Sequence, residues 1–142
     1  MMRYPAKIRN EEGGYCVYFL GTGMDGCVTY GTDLADAKKN AQEALDCYLE
    51  SFYQHREPIP LPETFAQEDD LYYFEPSPKT DFAITLRFER EKRSLSQQEI
   101  ASRMGIACAQ YQRMENPRKA NPTLETIIKI QEALGAKIFL KI

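Results

Sequence analysis

The stretch RYPAKIR, residues 3–9, shows the period-two alternation that is typical of a β-strand with one buried face. The residues on its apolar side are Tyr4, Ala6 and Ile8. A second apolar run, YCVYFL at 15–20, follows a Gly-Gly turn signal at 13–14, so the two runs predict a hairpin. After a glycine-rich loop at 21–26, the run CVTYG predicts a third strand.

The hydrophobic period then changes to three and four residues, which predicts an amphipathic helix up to about residue 54. Its apolar positions are Leu34, Ala37, Ala41, Ala44, Leu45, Tyr48, Leu49 and Phe52. Thr32 or Asp33 is expected to cap its N-terminus. The opposite face is acidic and carries Asp36, Glu43, Asp46 and Glu50.

Five prolines between residues 57 and 78 end this helical pattern. Within that stretch, LYYFE at 71–75 predicts a strand that closes the first domain. We expect the linker at PSPK, 76–79. The sequence is therefore divided into a domain 1–76 with strands and one helix, and an all-α domain 77–142, an α+β organisation.

The second domain contains the spacing of a helix-turn-helix. Residues 77–94 predict a helix, and QQEIASRMGIACAQYQRMEN at 97–116 predicts two shorter helices joined by a tight turn. A small residue, Ala101, stands where two such helices nearly touch, and Gly105 permits the positive φ of the turn. The apolar positions that complete the pattern are Ile100, Ile106, Tyr111 and Met114.

The chain closes with a further helix and a predicted strand. NPTLETIIKIQEALG, 121–135, has a proline expected at the first helical turn and a terminal glycine. Its predicted apolar face consists of Leu124, Ile127, Ile128, Ile130 and Leu134. The alternation in AKIFLKI, 136–142, favours a strand that pairs with its copy in a homodimer or higher oligomer. The alternative is that this segment folds back on its own helices.

Composition favours a soluble, cytoplasmic protein. The chain has 43% hydrophobic and 27% charged residues, and no apolar run approaches the length that spans a bilayer. The four scattered cysteines predict reduced thiols, and a single histidine gives no indication of a metal site. We expect no metal and no cofactor.

The net charge of −3 is unevenly distributed. Residues 1–80 contain seven Lys and Arg against fourteen Asp and Glu, whereas residues 81–142 contain eleven against seven. Such an asymmetry indicates two partners of opposite charge, although two solvated surfaces could also differ in this way.

Two resemblances follow from these motifs. From Met2 to about Pro62, MRYPAKI, GGYCVYF and GCVTYGTDLADAKKNAQEALDCYLE resemble the N-terminal domain of the HicB family of antitoxins. That resemblance implies a reduced, partial ribonuclease H-like fold without nuclease activity. It also implies a partner, the small toxin HicA, which cleaves mRNA. The toxin-binding surface is unknown, and the acidic residues Asp36, Glu43, Asp46 and Glu50 are its candidates.

Residues 82–135 resemble the helix-turn-helix domain of the Cro and phage repressor class. By position, the resemblance implies that Gln97 holds a phosphate and that the second short helix faces the major groove with Cys108, Ala109, Gln112 and Arg113. Arg can pair with guanine and Gln with adenine. Cys108 and Ala109 offer only apolar contact, and Ala107 is a poor N-cap. Contacts to the DNA backbone are expected from Asn116, Arg118 and Lys119.

Three functions fit these observations. The first is an antitoxin that binds an RNase toxin and represses its own operon at an operator in double-stranded DNA. The second is a stand-alone repressor whose N-terminal domain senses a ligand or a protein. The third is a nuclease, which needs clustered carboxylates for Mg²⁺. Its candidates are Asp25, Asp33 and Asp36, of which the last two are better explained as helix-start charges. We therefore expect no enzyme.

Overall fold

The computed structural model describes residues 2–139 and begins with an antiparallel hairpin. Strand β1 (Tyr4–Glu11) pairs with β2 (Gly14–Phe19), and β2 pairs with β3 (Val28–Gly31), also antiparallel. The hairpin turn places Gly13 at a φ of 79°, in the left-handed region. Tyr4, Ala6 and Ile8 are all buried, so the alternation in the sequence predicted the inner face correctly.

The first long helix, α1 (Leu34–Gln54), covers one face of this sheet. Asp33 is its N-cap, and the Asp33 carboxylate accepts the Asp36 N–H at 2.7 Å. Gly31, at the end of β3, lies against the first turn of α1: a Cβ there would stand 2.2 Å from the backbone nitrogen of Ala37. Only glycine therefore lets the strand and the helix approach this closely. The buried residues of α1 are Ala37, Ala41, Leu45 and Leu49.

The fourth strand, β4 (Leu71–Phe74), returns beside β1 and runs antiparallel to it. The sheet order is β3-β2-β1-β4, which confirms the predicted strand at 71–75. Between α1 and β4, the proline-rich segment is tied to β1 by Tyr4, whose hydroxyl donates to the Pro60 carbonyl at 2.7 Å. The first unit is thus a four-stranded antiparallel sheet with one helix on one face.

The predicted linker is partly wrong. Pro78 and Lys79 form the first turn of α2 (Pro78–Lys92), because proline at the first helical position has a suitable φ and needs no N–H partner. The chain separates into two compact units within this helix, between Asp81 and Phe82.

The second unit is helical. After α2 come α3 (Gln97–Met104), α4 (Cys108–Met114) and α5 (Leu124–Leu134), as the sequence predicts. The buried residues that form its core are Phe82, Ala83, Leu86, Leu95, Ile100, Ala101, Tyr111, Met114, Ala120, Ile130 and Leu134. With a mixed first unit and a helical second unit, the chain has the α+β organisation that the sequence predicts.

Two details of the last helix differ from the sequence prediction. Pro122 precedes the helix, because the side chain of Thr123 accepts the Thr126 N–H and caps α5. Leu124, predicted on the apolar face, is 66% exposed, whereas Ile130 is fully buried. The cap places Leu124 at the first helical position, where its side chain lies outside the core.

The predicted C-terminal strand is absent over the part of it that the structure describes. The chain bends at Ala136, Ile138 and Phe139, and residues 140–142 lie outside the described range. The Phe139 N–H donates to the Gln131 side-chain oxygen at 2.7 Å, and its ring packs 4.7 Å from that of Phe82. Residues 136–139 therefore fold back on the helices of the same chain, where burial of the Phe139 ring outweighs the extended conformation suggested by alternation.

Candidate nucleic-acid interface

Hydrogen bonds close both ends of α3, and those at its C-terminal end form the turn to α4. At its start, the Ser96 hydroxyl accepts the Glu99 N–H at 3.0 Å, and the Glu99 carboxylate accepts the Ser96 N–H at 3.3 Å. At its end, Gly105 has a φ of 70° and the Ile106 N–H donates to the Ala101 carbonyl at 3.1 Å. The small side chain of Ala101 is almost fully buried. The direction of α4 relative to α3 is thus fixed by local chemistry.

The start of α4 lacks the usual side-chain cap, as expected from Ala107. The Gln110 side-chain oxygen instead accepts the Ala107 N–H at 3.2 Å, which supplies half of a capping box. Of the two apolar residues expected to face the groove, Ala109 is exposed but Cys108 is half-buried and packs on the core. Cys108 lies three residues before the fully buried Tyr111, so both belong to the inward side of the helix.

A buried carboxylate joins three helices of the second unit. Glu115, directly after α4, is 2% exposed. Its two oxygens accept Nε and Nη2 of Arg90 in α2, at 2.6 and 3.0 Å. They also accept the Tyr111 hydroxyl at 2.5 Å and Nε2 of Gln97, the first residue of α3, at 3.1 Å. Four donors occupy the four acceptor positions of the carboxylate, so the buried charge is both paired and fully hydrogen-bonded.

This network raises the pKa of two of its other members, Arg90 and Tyr111. The hydrogen bond to Glu115 raises the pKa of Arg90, with burial opposing it, and burial together with Glu115 raises the pKa of Tyr111. Arg90 and Glu115 were missed in the sequence because 25 positions separate them. The available signal was a glutamate four residues after a buried tyrosine, on the same side of the helix.

The network contains one predicted DNA-contacting residue, Gln97, and reaches a second, Gln112, through one further hydrogen bond. Gln112 Nε2 donates to Gln97 Oε1 at 3.2 Å, so the start of α3 and the middle of α4 share one surface. Gln112 and Arg113 are exposed, and Gln97 is half-buried. The Gln97 side chain is therefore oriented by two hydrogen bonds, one donated to Glu115 and one accepted from Gln112.

The loop after α4 carries the residues that are predicted to contact the DNA backbone. The Asn116 side-chain oxygen accepts the Arg118 N–H at 3.0 Å, so the half-buried Asn116 shapes the loop. Arg118 and Lys119 are exposed beside it. A groove of about 350 Å³ runs from α4 to the start of α5 and is lined by the cations Arg113, Lys119 and Lys129. Lys129 was not among the residues predicted from sequence.

The acidic candidates on α1 are largely engaged within the first unit. Asp36 accepts the Thr32 N–H at 2.9 Å, and Asp46 accepts the N–H of Ser77 at 2.8 Å and also its hydroxyl. Glu50 accepts the Gln54 side-chain amide at 3.2 Å. Glu43 is the exposed member of the set. Two of the four carboxylates thus hold the ends of structural elements.

Two of the three carboxylates considered for a nuclease have similar structural uses, since Asp33 and Asp36 both serve the start of α1. Within residues 2–139, no group of three or more His, Cys, Asp or Glu side chains is placed to hold a metal ion. All four cysteines are free thiols. No helix in the same range combines the length and apolar character needed to cross a bilayer.

Comparisons with known proteins identify a family model and several relatives that resemble this chain. A helix-turn-helix family model matches residues 86–139. Antitoxin HicB 1 of Photorhabdus laumondii is 30% identical over 142 residues, which cover 99% of this chain and 87% of that protein. Antitoxin HicB of Escherichia coli K12 is 27% identical, with 98% of each chain covered. A solved structure described as a HicA3 and HicB3 toxin-antitoxin complex shares 31% identity over 54% of this chain and all of the matched chain, with a TM-score of 0.45.

Proposed function

The chain belongs to the HicB family of antitoxins, and we propose that it neutralises a HicA-type mRNA interferase by binding it and represses its own operon. The observation that carries this proposal is similarity to antitoxins over almost the entire chain, both units included. Its action is proposed to be steric and non-enzymatic. The cytoplasmic location expected from the sequence stays a prediction.

We assign operator binding to the second unit. Gln112 and Arg113 are proposed to read bases, because both are exposed on α4 and carry the donors and acceptors that base edges require. Gln97, Asn116, Arg118 and Lys119 are proposed to contact the DNA backbone. Two copies of this unit, in a homodimer or higher oligomer, would present two α4 helices about 34 Å apart, so the operator is proposed to be an inverted repeat.

We assign toxin binding to residues 1–76, whose sheet and helix are proposed to represent the reduced ribonuclease H-like fold implied by the family resemblance. The acidic balance of this half favours a basic partner, and opposite charges would accelerate association. A toxin covered on its RNA-binding surface would lose access to substrate without any chemical change in either protein.

The test has two arms. Co-expression of the chain with its proposed HicA-type partner should restore growth that this toxin alone arrests. Footprinting on the DNA upstream of the gene for this chain should show protection of an inverted repeat. Continued growth arrest would contradict the antitoxin assignment, and protection of upstream DNA no stronger than that of random DNA would contradict the repressor assignment.

A further inference from the structure

The edge strand β3 exposes apolar side chains on the sheet face opposite α1. Val28 and Tyr30 are 52% and 48% exposed, whereas Gly31 on the other face packs against α1. In the register of β2 with β3, Tyr18 lies opposite Val28 and Cys16 opposite Tyr30. We call these four residues, Cys16, Tyr18, Val28 and Tyr30, the outer-sheet patch.

The outer-sheet patch is a preformed surface. The Tyr30 ring lies over Gly14, where an added Cβ would fall 1.9 Å from the Tyr30 hydroxyl oxygen. The Tyr30 carbonyl accepts the Asn40 side-chain amide at 2.8 Å, and the Tyr18 hydroxyl donates to Glu11 at 2.9 Å. Apolar residues held in this way on an edge strand lose little conformational freedom on binding, which is typical of an interaction surface.

The charges around the patch favour a basic occupant. The two cations of β1 beside it are already paired: Lys7 Nζ lies 3.1 Å from Glu68, and Arg9 Nε lies 3.6 Å from Asp70. Carboxylates are in twofold excess over cations in residues 1–80. A second copy of the same acidic unit would therefore be repelled, whereas a basic protein would be attracted.

We propose that the outer-sheet patch is the docking surface for the basic toxin, an assignment that rests on the proposed antitoxin function. Val28 and the two tyrosines supply the apolar centre that is desolvated on binding, and the surrounding carboxylates supply the polar rim. The acidic face of α1 contributes less, because none of the large hydrophobic residues that are exposed within residues 2–139 lies on α1.

The test measures binding of the full-length chain to its proposed HicA-type partner. Val28→Lys should weaken the affinity at least about 100-fold, since it removes an apolar contact and places a cation against a basic partner. Val28→Thr, which keeps the β-branched shape, should weaken it by about tenfold. Leu61→Lys is the matched control: Leu61 is 45% exposed in the same unit and is not a member of the patch, so its change should leave the affinity within about threefold.

The outcomes separate this assignment from the broader function. If the unchanged chain binds the toxin and Val28→Lys binds it with an affinity within threefold, the proposed docking surface is overturned and the antitoxin role stays intact. A larger loss for Glu43→Lys than for Val28→Lys would overturn it in favour of α1. A fall in the mass of the free chain on Val28→Lys, measured by light scattering, would reassign the patch to self-association. No binding by the unchanged chain would overturn the proposed function itself.

Discussion

The buried Glu115 carboxylate offers a quantitative test of what holds the second unit together. Glu115→Gln keeps the size and shape of the side chain but removes its charge. An amide oxygen can accept two of the four donors that now converge on Glu115, and its NH₂ group then opposes the other two. Bonds to a charged group contribute about 1.5–3 kcal/mol each. Loss of two such bonds predicts a decrease in unfolding free energy of at least about 3 kcal/mol, the lower end of the range for breaking a buried ion pair.

Urea unfolding followed by the helical circular dichroism signal measures this change. The control is Glu125→Gln, which removes a carboxylate of 81% exposure that lies 3.8 Å from Lys129 in the same unit. It should alter the unfolding free energy by less than about 0.5 kcal/mol, because water screens an exposed pair. A loss below about 1 kcal/mol for Glu115→Gln would show that the network orients side chains without stabilising the fold.

Two further predictions concern the same unit. Replacing Gln112 and Arg113 together by Ala should reduce the difference in affinity between operator and random DNA, and an unchanged footprint for this double variant would mean that the bases are read elsewhere. Lys119→Ala should instead weaken binding to all sequences and lower the slope of log affinity against log salt by about one. Ile130→Ala should lower the unfolding free energy by about 2–5 kcal/mol, because the side chain is fully buried. Leu124→Ala should cost less than about 1 kcal/mol at 66% exposure, and equal losses at the two positions would contradict this placement of α5.

The elements that were predicted correctly from the sequence are those that depend on residues close to one another in the chain. Alternation at Tyr4, Ala6 and Ile8 and the helical period of α1 depend on neighbours within a few residues, and both agree with the observed burial. The helix-turn-helix was found for the same reason, since the small Ala101 and the positive φ of Gly105 are requirements of a single turn.

The features that were missed depend on residues distant in sequence or on competition between local signals. Pairing of Arg90 with Glu115 spans 25 positions and has no periodic signature. In AKIFLKI, the alternation suggested a strand, but the position of Phe82 against the Phe139 ring decides the conformation of the described part. The outer-sheet patch could not be predicted from the sequence either. The alternation in β3 shows which residues share a face, but it does not show which face α1 covers.

The hydrogen bond between Gln112 and Gln97 restricts how operator preference can diverge within a lineage. Replacing Gln112 alone changes the proposed base contact and also leaves Gln97 without one of its two orienting partners. The same mutation would then disturb the grip on the DNA backbone, so intermediates on the way to a new operator would bind weakly. Simultaneous replacement of Gln97 and Gln112 avoids these weakly binding intermediates. A designer who wants orthogonal repressors from this scaffold should randomise the two positions as a pair.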